Sequence, residues 1–225
     1  MESSVIKERI DAEKKEFVYR LFSSFLFILI VFLLFWVPYK VFSFLCWGTY
    51  ALMLYEIFSP KINGKIPLRM LSAFICFVGI HSFTYCREFL GQPGCVFLIC
   101  VASFTDIGAY SFGKILRGPK LCPKISPNKT WAGFWGGILF TNVAIFCLNN
   151  TFFSVEGKFL HLMDFWTIQV IILASVAGDL LESWFKRLIG VKDMGDLFPG
   201  HGGILDRLDS LLLASIVLAI VDILF

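Results

Sequence analysis

Residues 21–37 contain no charged side chain, and comparable apolar runs follow at 41–57, 68–86, from 95 onward, 131–148, 165–183 and 204–225. A membrane span needs about 20 predominantly apolar residues, within a range of roughly 17 to 25. In hydrocarbon every backbone N–H and C=O has to find its partner inside the segment, so runs of this length fold as helices. The pattern predicts an all-α, polytopic integral membrane bundle of about seven transmembrane helices. Charged residues make up 16% of the chain and hydrophobic ones 57%, whereas soluble domains carry about a quarter charged. A water-soluble fold is excluded, the bilayer is the expected surroundings, and no nucleic-acid partner is expected of a net charge of only +3.

Residues 1–20 stand apart. They mix both charge signs, yet Ile6, Ile10, Phe17 and Leu21 recur at near-helical spacing, which predicts a short amphipathic segment on the cytosolic membrane surface. A cleaved signal peptide fits less well, because Glu8, Asp11, Glu13 and Glu16 precede the apolar run and no small-residue cleavage site follows it. Residues 21–225 then form the transmembrane domain. With the N-terminus in the cytosol, all Lys and Arg except Lys40, Arg87 and Lys158 fall on the cytosolic side, as the positive-inside rule requires. The seven cysteines include no C-x-x-C pair and read as small buried hydrophobes. His81 reads as a hydrogen-bonding partner of a neighbouring helix, and Asp222 has no evident partner.

Two polar blocks, 104–131 and 178–209, interrupt the apolar pattern on that cytosolic side. In the second, Asp179, Glu182 and Lys186 recur at i, i+3 and i+7, one stripe of a helix, and Asp206 and Asp209 share a face of the next. An ionised carboxylate at the inner end of an apolar run, as Asp179 is, costs free energy unless paired or metal-bound. Asp193, Asp196, Asp206 and Asp209 are hard oxygen donors of the kind Mg²⁺ prefers, while Lys186, Arg187, Lys192 and Arg207 neutralise phosphate oxygens. Gly195 and the run Pro199-Gly200-His201-Gly202-Gly203 allow successive N–H groups to turn toward one anion.

In the first block, Asp106 and Tyr110 lie one helical turn apart, with Gly108 and Gly113 permitting close approach of another backbone. The plain structural alternative pairs Asp106 with Lys114 or Arg117. Residues 114–129 hold five basic residues and no acidic one, which suits anionic headgroups or a triphosphate. Ser126 or Thr130 caps the following helix and leaves its N-terminus and Lys129 toward an anion. Gly133, Gly136 and Gly137 let a neighbouring helix pack closely.

The run S-W-F-K-R-x-x-x-x-K-D-x-G-x-x-F-P-x-H-G-G-I-x-D-R-L-D at 183–209 resembles the signature of the phosphatidate cytidylyltransferase (CDP-diacylglycerol synthase) family. The stretch Asp106-Ile107-Gly108-Ala109-Tyr110 and the stretch Ser126-Pro127-Asn128-Lys129-Thr130 are similar to that family's D-x-G-A-Y and S-P-x-K-T elements. The resemblance implies a magnesium-dependent nucleotidyltransferase of phospholipid biosynthesis, in which CTP and phosphatidate give CDP-diacylglycerol and pyrophosphate. It implies Asp179, Asp206, Lys186 and Arg207 as the catalytic set. Mg²⁺, with or without a second cation, is then held by Asp179 and Asp206 with Asp209 or Asp106 nearby. Ser126, Lys129, Thr130, Glu182, Arg187, Lys192, Asp193, His201, Gly202 and Gly203 are the substrate-binding set. The expected setting is a multi-pass protein of the cell inner membrane with its site facing the cytosol, and a homodimer is compatible with it. Two departures lie in the first block, Asn128 in place of a frequent Lys or Gly and Ala132 in place of a frequent Glu or Gln.

Two rival readings make different demands. A CTP-dependent lipid-alcohol kinase of the same superfamily would release CDP instead of pyrophosphate. A non-catalytic anion transporter would spread its charges through the bilayer depth, whereas Asp106, Asp179, Glu182 and Asp206 are expected to cluster at one side.

Overall fold

The computed structural model describes residues 36–59, 66–149, 164–191, 194–195 and 202–224. The amphipathic segment expected at 1–20, and all of the first expected span except Trp36 and Val37, lie outside the described residues. The described residues form six helices: α1 (Tyr39–Ile57), α2 (Ile66–Phe89), α3 (Gly91–Leu116), α4 (Trp131–Asn149), α5 (Phe165–Ile189) and α6 (Leu205–Leu224). Four of them, α2 to α5, are long and apolar enough to cross a membrane. Each helix coincides with one of the expected apolar runs, although α3 begins at Gly91, four residues before the run expected from 95. Gly91 itself takes a positive φ of 71°, so turn and helix start merge in one residue that needs no Cβ.

One element departs from the all-α expectation. Between α3 and α4 the chain forms an antiparallel hairpin of β1 (Lys120–Cys122) and β2 (Ser126–Thr130), with Lys120 opposite Thr130 and Cys122 opposite Ser126. The Ile125 N–H closes its turn on the Cys122 carbonyl at 3.1 Å. Pro127 is tolerated in β2 because a two-stranded ribbon leaves one side of each strand unpaired.

Helices in a bilayer gain no hydrophobic drive from meeting one another, so close packing and interhelical hydrogen bonds hold them together. The α3–α4 contact shows both. A Cβ at Gly136 would lie 2.2 Å from the Phe112 Cβ, and one at Gly137 would lie 2.9 Å from the Thr105 carbonyl oxygen. The Thr105 and Thr141 hydroxyls meet there at 3.1 Å. Between α4 and α5, the Gln169 amide donates to Asn142 Oδ1 at 2.7 Å, and Asn142 donates back to Gln169 Oε1 at 3.3 Å. Replacing Gln169 by leucine is therefore expected to cost ~0.6 to 1.7 kcal/mol of bundle stability, measured as an earlier unfolding midpoint in detergent mixtures.

The core is apolar, with Met53, Phe97, Leu98, Ile171, Ile172 and Leu218 sealed from solvent. Large apolar side chains also cover the outside, including Phe44, Phe74, Trp135, Leu139, Phe146 and Trp166. An outward surface of that kind belongs in lipid. Cys147 lies on it, exposed, unlike the buried Cys46, Cys76, Cys86 and Cys95. His81 is exposed as well and stacks on Phe77, which replaces the expected interhelical hydrogen bond.

The helices alternate in direction. The C-terminal ends of α1, α3 and α5 meet the N-terminal ends of α2, α4 and α6, as the Glu56–Ile204, Arg69–Ser59 and Arg187–Ile125 hydrogen bonds record. The opposite end is tied by Tyr39 to Glu88 at 2.8 Å and by Tyr85 to Asp222 at 3.0 Å. Asp222, unexplained by its sequence surroundings, is thus held by a phenol on α2.

Candidate active site

The charged end of the bundle is built where α5 and α6 touch. A Cβ on Gly178 would lie 2.5 Å from the Asp209 carbonyl oxygen and 3.1 Å from the Ser210 Cα, so the two backbones are in contact. Asp179 follows that glycine on α5, and Asp209 sits at the same contact on α6. The Asp209 carboxylate accepts the Ser210 N–H at 2.7 Å and is close enough to Asp179 and Asp106 for their charges to interact. Three helices therefore each bring one carboxylate to the same region.

One turn beyond Asp179, Glu182 is buried on α5, and Lys186 lies one turn further. Lys186 pairs with Glu182 Oε2 along its own helix and with Asp206 Oδ1 across to α6 at 2.8 Å. The expected stripe of Asp179, Glu182 and Lys186 thus forms, and it lies against the face of α6 that carries Asp206. Helix α5 ends just past its two cations at Gly190, whose φ of 80° suits a left-handed cap. Lys186 and Arg187 occupy the last turn, where the helix dipole favours positive charge.

The start of α6 shows how the loop before it is anchored. The first N–H groups of a helix lack intrahelical partners. Asp206 Oδ2 accepts two N–H groups of the preceding chain, Gly203 at 2.8 Å and Met194 at 3.1 Å. Glu56, reaching over from α1, accepts Ile204 N–H at 2.9 Å and Leu205 N–H at 3.2 Å. The expected anion nest at Gly202 and Gly203 is thus partly filled from within, since the Gly203 N–H is given to Asp206.

On the other side of Asp179 lies a cavity of about 840 Å³, lined by Asp106, Tyr110, Lys114, Arg117, Lys120 and Lys129 among others. Lys129, on β2, forms an ion pair with Asp179. Thr130 at the end of that strand accepts the Gly133 N–H at 3.1 Å, so Thr130, not Ser126, caps α4; Ser126 lines the cavity instead. Arg187 donates to the Ile125 carbonyl at 3.2 Å and fastens the hairpin turn to the end of α5. Lys114 turns to the Tyr110 hydroxyl at 3.4 Å, so the alternative pairing of Asp106 with Lys114 is not the one formed. Asp106 lines the cavity and faces Asp179 and Lys129.

The structure therefore brings Asp106, Ser126, Lys129, Thr130, Asp179, Glu182, Lys186, Arg187, Gly203, Asp206 and Asp209 to one end of the bundle. Arg207 is exposed beside them on the first turn of α6. Lys192, Asp193 and His201 lie outside the described residues. Among the described residues, no group of three His, Cys, Asp or Glu side chains is arranged to hold a metal ion. The residue that sequence reasoning missed is Glu56, 4% exposed. The signal was present: an acidic residue closing an otherwise apolar run, the same feature that singled out Asp179.

Residues 61–225 match the family model described as the cytidylyltransferase family; Glu56 precedes that segment. The chain is 44% identical over 142 residues to a phosphatidate cytidylyltransferase of Brucella suis biovar 1 (strain 1330), covering 61% of this chain and 50% of that protein. It is 40% identical over 134 residues to one from Mycobacterium leprae (strain TN), covering 59% and 41%. It is 36% identical over 168 residues to one from Staphylococcus epidermidis (strain ATCC 12228 / FDA PCI 1200), covering 70% and 62%. The chain spans about half the length of these curated relatives.

Proposed function

This chain belongs to the cytidylyltransferase family, and from that premise we propose that it transfers the cytidylyl group of CTP to phosphatidate, giving CDP-diacylglycerol and pyrophosphate. The observation that carries the reading is the meeting of Asp106, Asp179 and Asp209 from three helices beside a cavity lined by Lys114, Arg117, Lys120 and Lys129. Carboxylates next to a basic cavity of that size suit a reaction between two phosphorylated substrates.

In the proposed reaction a phosphate oxygen of phosphatidate bonds to the α-phosphorus of CTP while the bond from that phosphorus to the α,β-bridging oxygen breaks, and pyrophosphate leaves with the electron pair. A phosphomonoester is already largely ionised at neutral pH, so no side chain has to become a nucleophile. What the protein has to supply is cancellation of anionic repulsion and alignment of the two reactants. Lys129 and the cavity's other cations receive phosphate oxygens on the hairpin side, and Lys186 does so on the α6 side. Before substrate arrives these two lysines are held in place by Asp179, Glu182 and Asp206. Arg187 keeps the hairpin closed over the site.

In chemical type the donors suit a hard divalent cation, although the described residues are not gathered into a three-ligand cluster. Asp106, Asp179 and Asp209 offer carboxylate oxygens, and the buried Glu182 Oε1 has no hydrogen-bond partner among the described residues. These residues would hold Mg²⁺. Asp206, whose oxygens are taken by Lys186, Met194 and Gly203, would join them on release of Lys186. Bound there, the ion supplies Lewis-acid stabilisation of charge on phosphate oxygens.

In the same reading the bundle has seven spans, a cytosolic N-terminus and a site facing the cytosol from the cell inner membrane. The gathering of charge at one end and the asymmetry of Lys and Arg support that orientation. Purified protein incubated with labelled CTP, phosphatidate and Mg²⁺ is expected to release pyrophosphate in step with a nucleotide-linked lipid, and chelation by EDTA is expected to stop both. Release of CDP with a phosphorylated lipid alcohol, or turnover unchanged by EDTA, would overturn the respective part of the proposal.

A further inference from the structure

We propose that Glu56 is a positioning residue for the transfer site: by accepting the Ile204 and Leu205 N–H groups and filling the space beneath Gly195 and Gly203, it fixes where α6 starts. The inference rests on the reaction proposed above. Its structural half is independent of that reaction.

A carboxylate at the end of an apolar helix, 4% exposed, is retained at a cost unless donors surround it. Glu56 finds those donors 148 and 149 residues away in sequence. Helix α1 otherwise packs mainly on α2, so this side chain is a tie between α1 and the catalytic end of α6. The two glycines show how closely the loop is seated on it. A Cβ at Gly195 would lie 2.6 Å from Glu56 Oε1, and one at Gly203 would lie 2.5 Å from Oε2. Both edges of the segment 195–203 therefore rest on one carboxylate.

The division of donors gives that seat its meaning. Gly203 and Met194, whose N–H groups go to Asp206, are respectively one of those glycines and the chain neighbour of the other. Ile204 and Leu205, next along the chain, go to Glu56. Shifting this seat moves the groups that hold Asp206 against Lys186, and with α6 it moves Asp209. Glu56 need not touch substrate to matter. Its effect passes through the backbone of 194–195 and 203–205, so it should act on alignment in the transition state more than on substrate affinity.

The test uses the full chain, with Glu56→Gln and Glu56→Ala compared with the parent. Hydrogen–deuterium exchange of the peptide covering 202–209 is expected to quicken in both, more in the alanine variant, while peptides from α3 and α4 keep parental exchange. Turnover is expected to fall about 100-fold in Glu56→Ala. It should fall about tenfold in Glu56→Gln, whose amide oxygen replaces only one of two acceptors. KM for CTP and for phosphatidate should stay within about threefold. Parental exchange at 202–209, or parental kcat in Glu56→Gln, overturns the proposal. So does quickened exchange throughout the bundle, which would make Glu56 a general stability residue. If Glu56→Ala does not fold, Glu56→Gln decides on the same readings. If the parent lacks transferase activity, the reaction is wrong, and exchange at 202–209 alone decides whether Glu56 seats α6.

Discussion

Asp179→Asn protein, inserted and purified at parental yield, is expected to turn over CTP at least ~100-fold more slowly than the parent chain. Asp179 holds Lys129 across the gap between α5 and the hairpin, and its charge is felt by Asp106 and Asp209 on two other helices. Without its negative charge the side chain no longer fixes the Lys129 ammonium, and a misplacement of ~1 Å of a group that aligns the reactants can cost about 100-fold in rate. Loss of a donor to a divalent ion would deepen the effect. Lys129→Met in the same background separates the roles. If Lys129 also binds phosphate, the double variant falls below Asp179→Asn; if it only neutralises Asp179, the double variant is no worse. Parental kcat/KM in Asp179→Asn would refute the placement of the reaction at this carboxylate.

Gly178→Ala is expected to have a comparable effect with no change in charge. Its new methyl would meet the Asp209 carbonyl oxygen at 2.5 Å and the Leu213 Cβ at 3.1 Å. Both neighbours belong to another helix, and a carbonyl oxygen cannot rotate out of the way as a flexible side chain can. Overpacking of this kind costs ~1 to 3 kcal/mol. The helices would part where Asp179 and Asp209 approach, and a misplacement of ~1 Å can cost about 100-fold in rate. Stability in detergent and kcat are expected to fall together. Ala177→Gly, at the exposed neighbouring position, is expected to keep kcat. Full activity in Gly178→Ala would mean that the spacing of α5 and α6 does not govern the chemistry.

The helices were legible because length and apolar content suffice to define them in a bilayer, where no other backbone arrangement satisfies its own hydrogen bonds. The clustering of Asp106, Asp179 and Asp209 was legible for a related reason: acidic residues closing apolar runs have few places to go. Their pairing was not. Sequence gives the sign of Lys129 but not that it reaches Asp179, because the contact depends on a hairpin with no apolar alternation to announce it. Residues 119–127 carry Pro119, Pro123 and Pro127, which argue against a strand in any setting but a short ribbon. Asp206 looked like a metal donor by type, while the structure binds its oxygens to Lys186, Met194 and Gly203. Glu56 was passed over because it closes a run far from either motif block, although the physics that marked Asp179 applied to it equally.

The long sequence interval bridged by Glu56 also bears on biogenesis. Its acceptor atoms enter the membrane with α1, but the amides that donate to them leave the ribosome only after α2 to α5 and the hairpin have been made. Until then the carboxylate lacks those two donors. Completion of the charged end is therefore a late event in synthesis, and a nascent chain halted before α6 would lack those two hydrogen bonds.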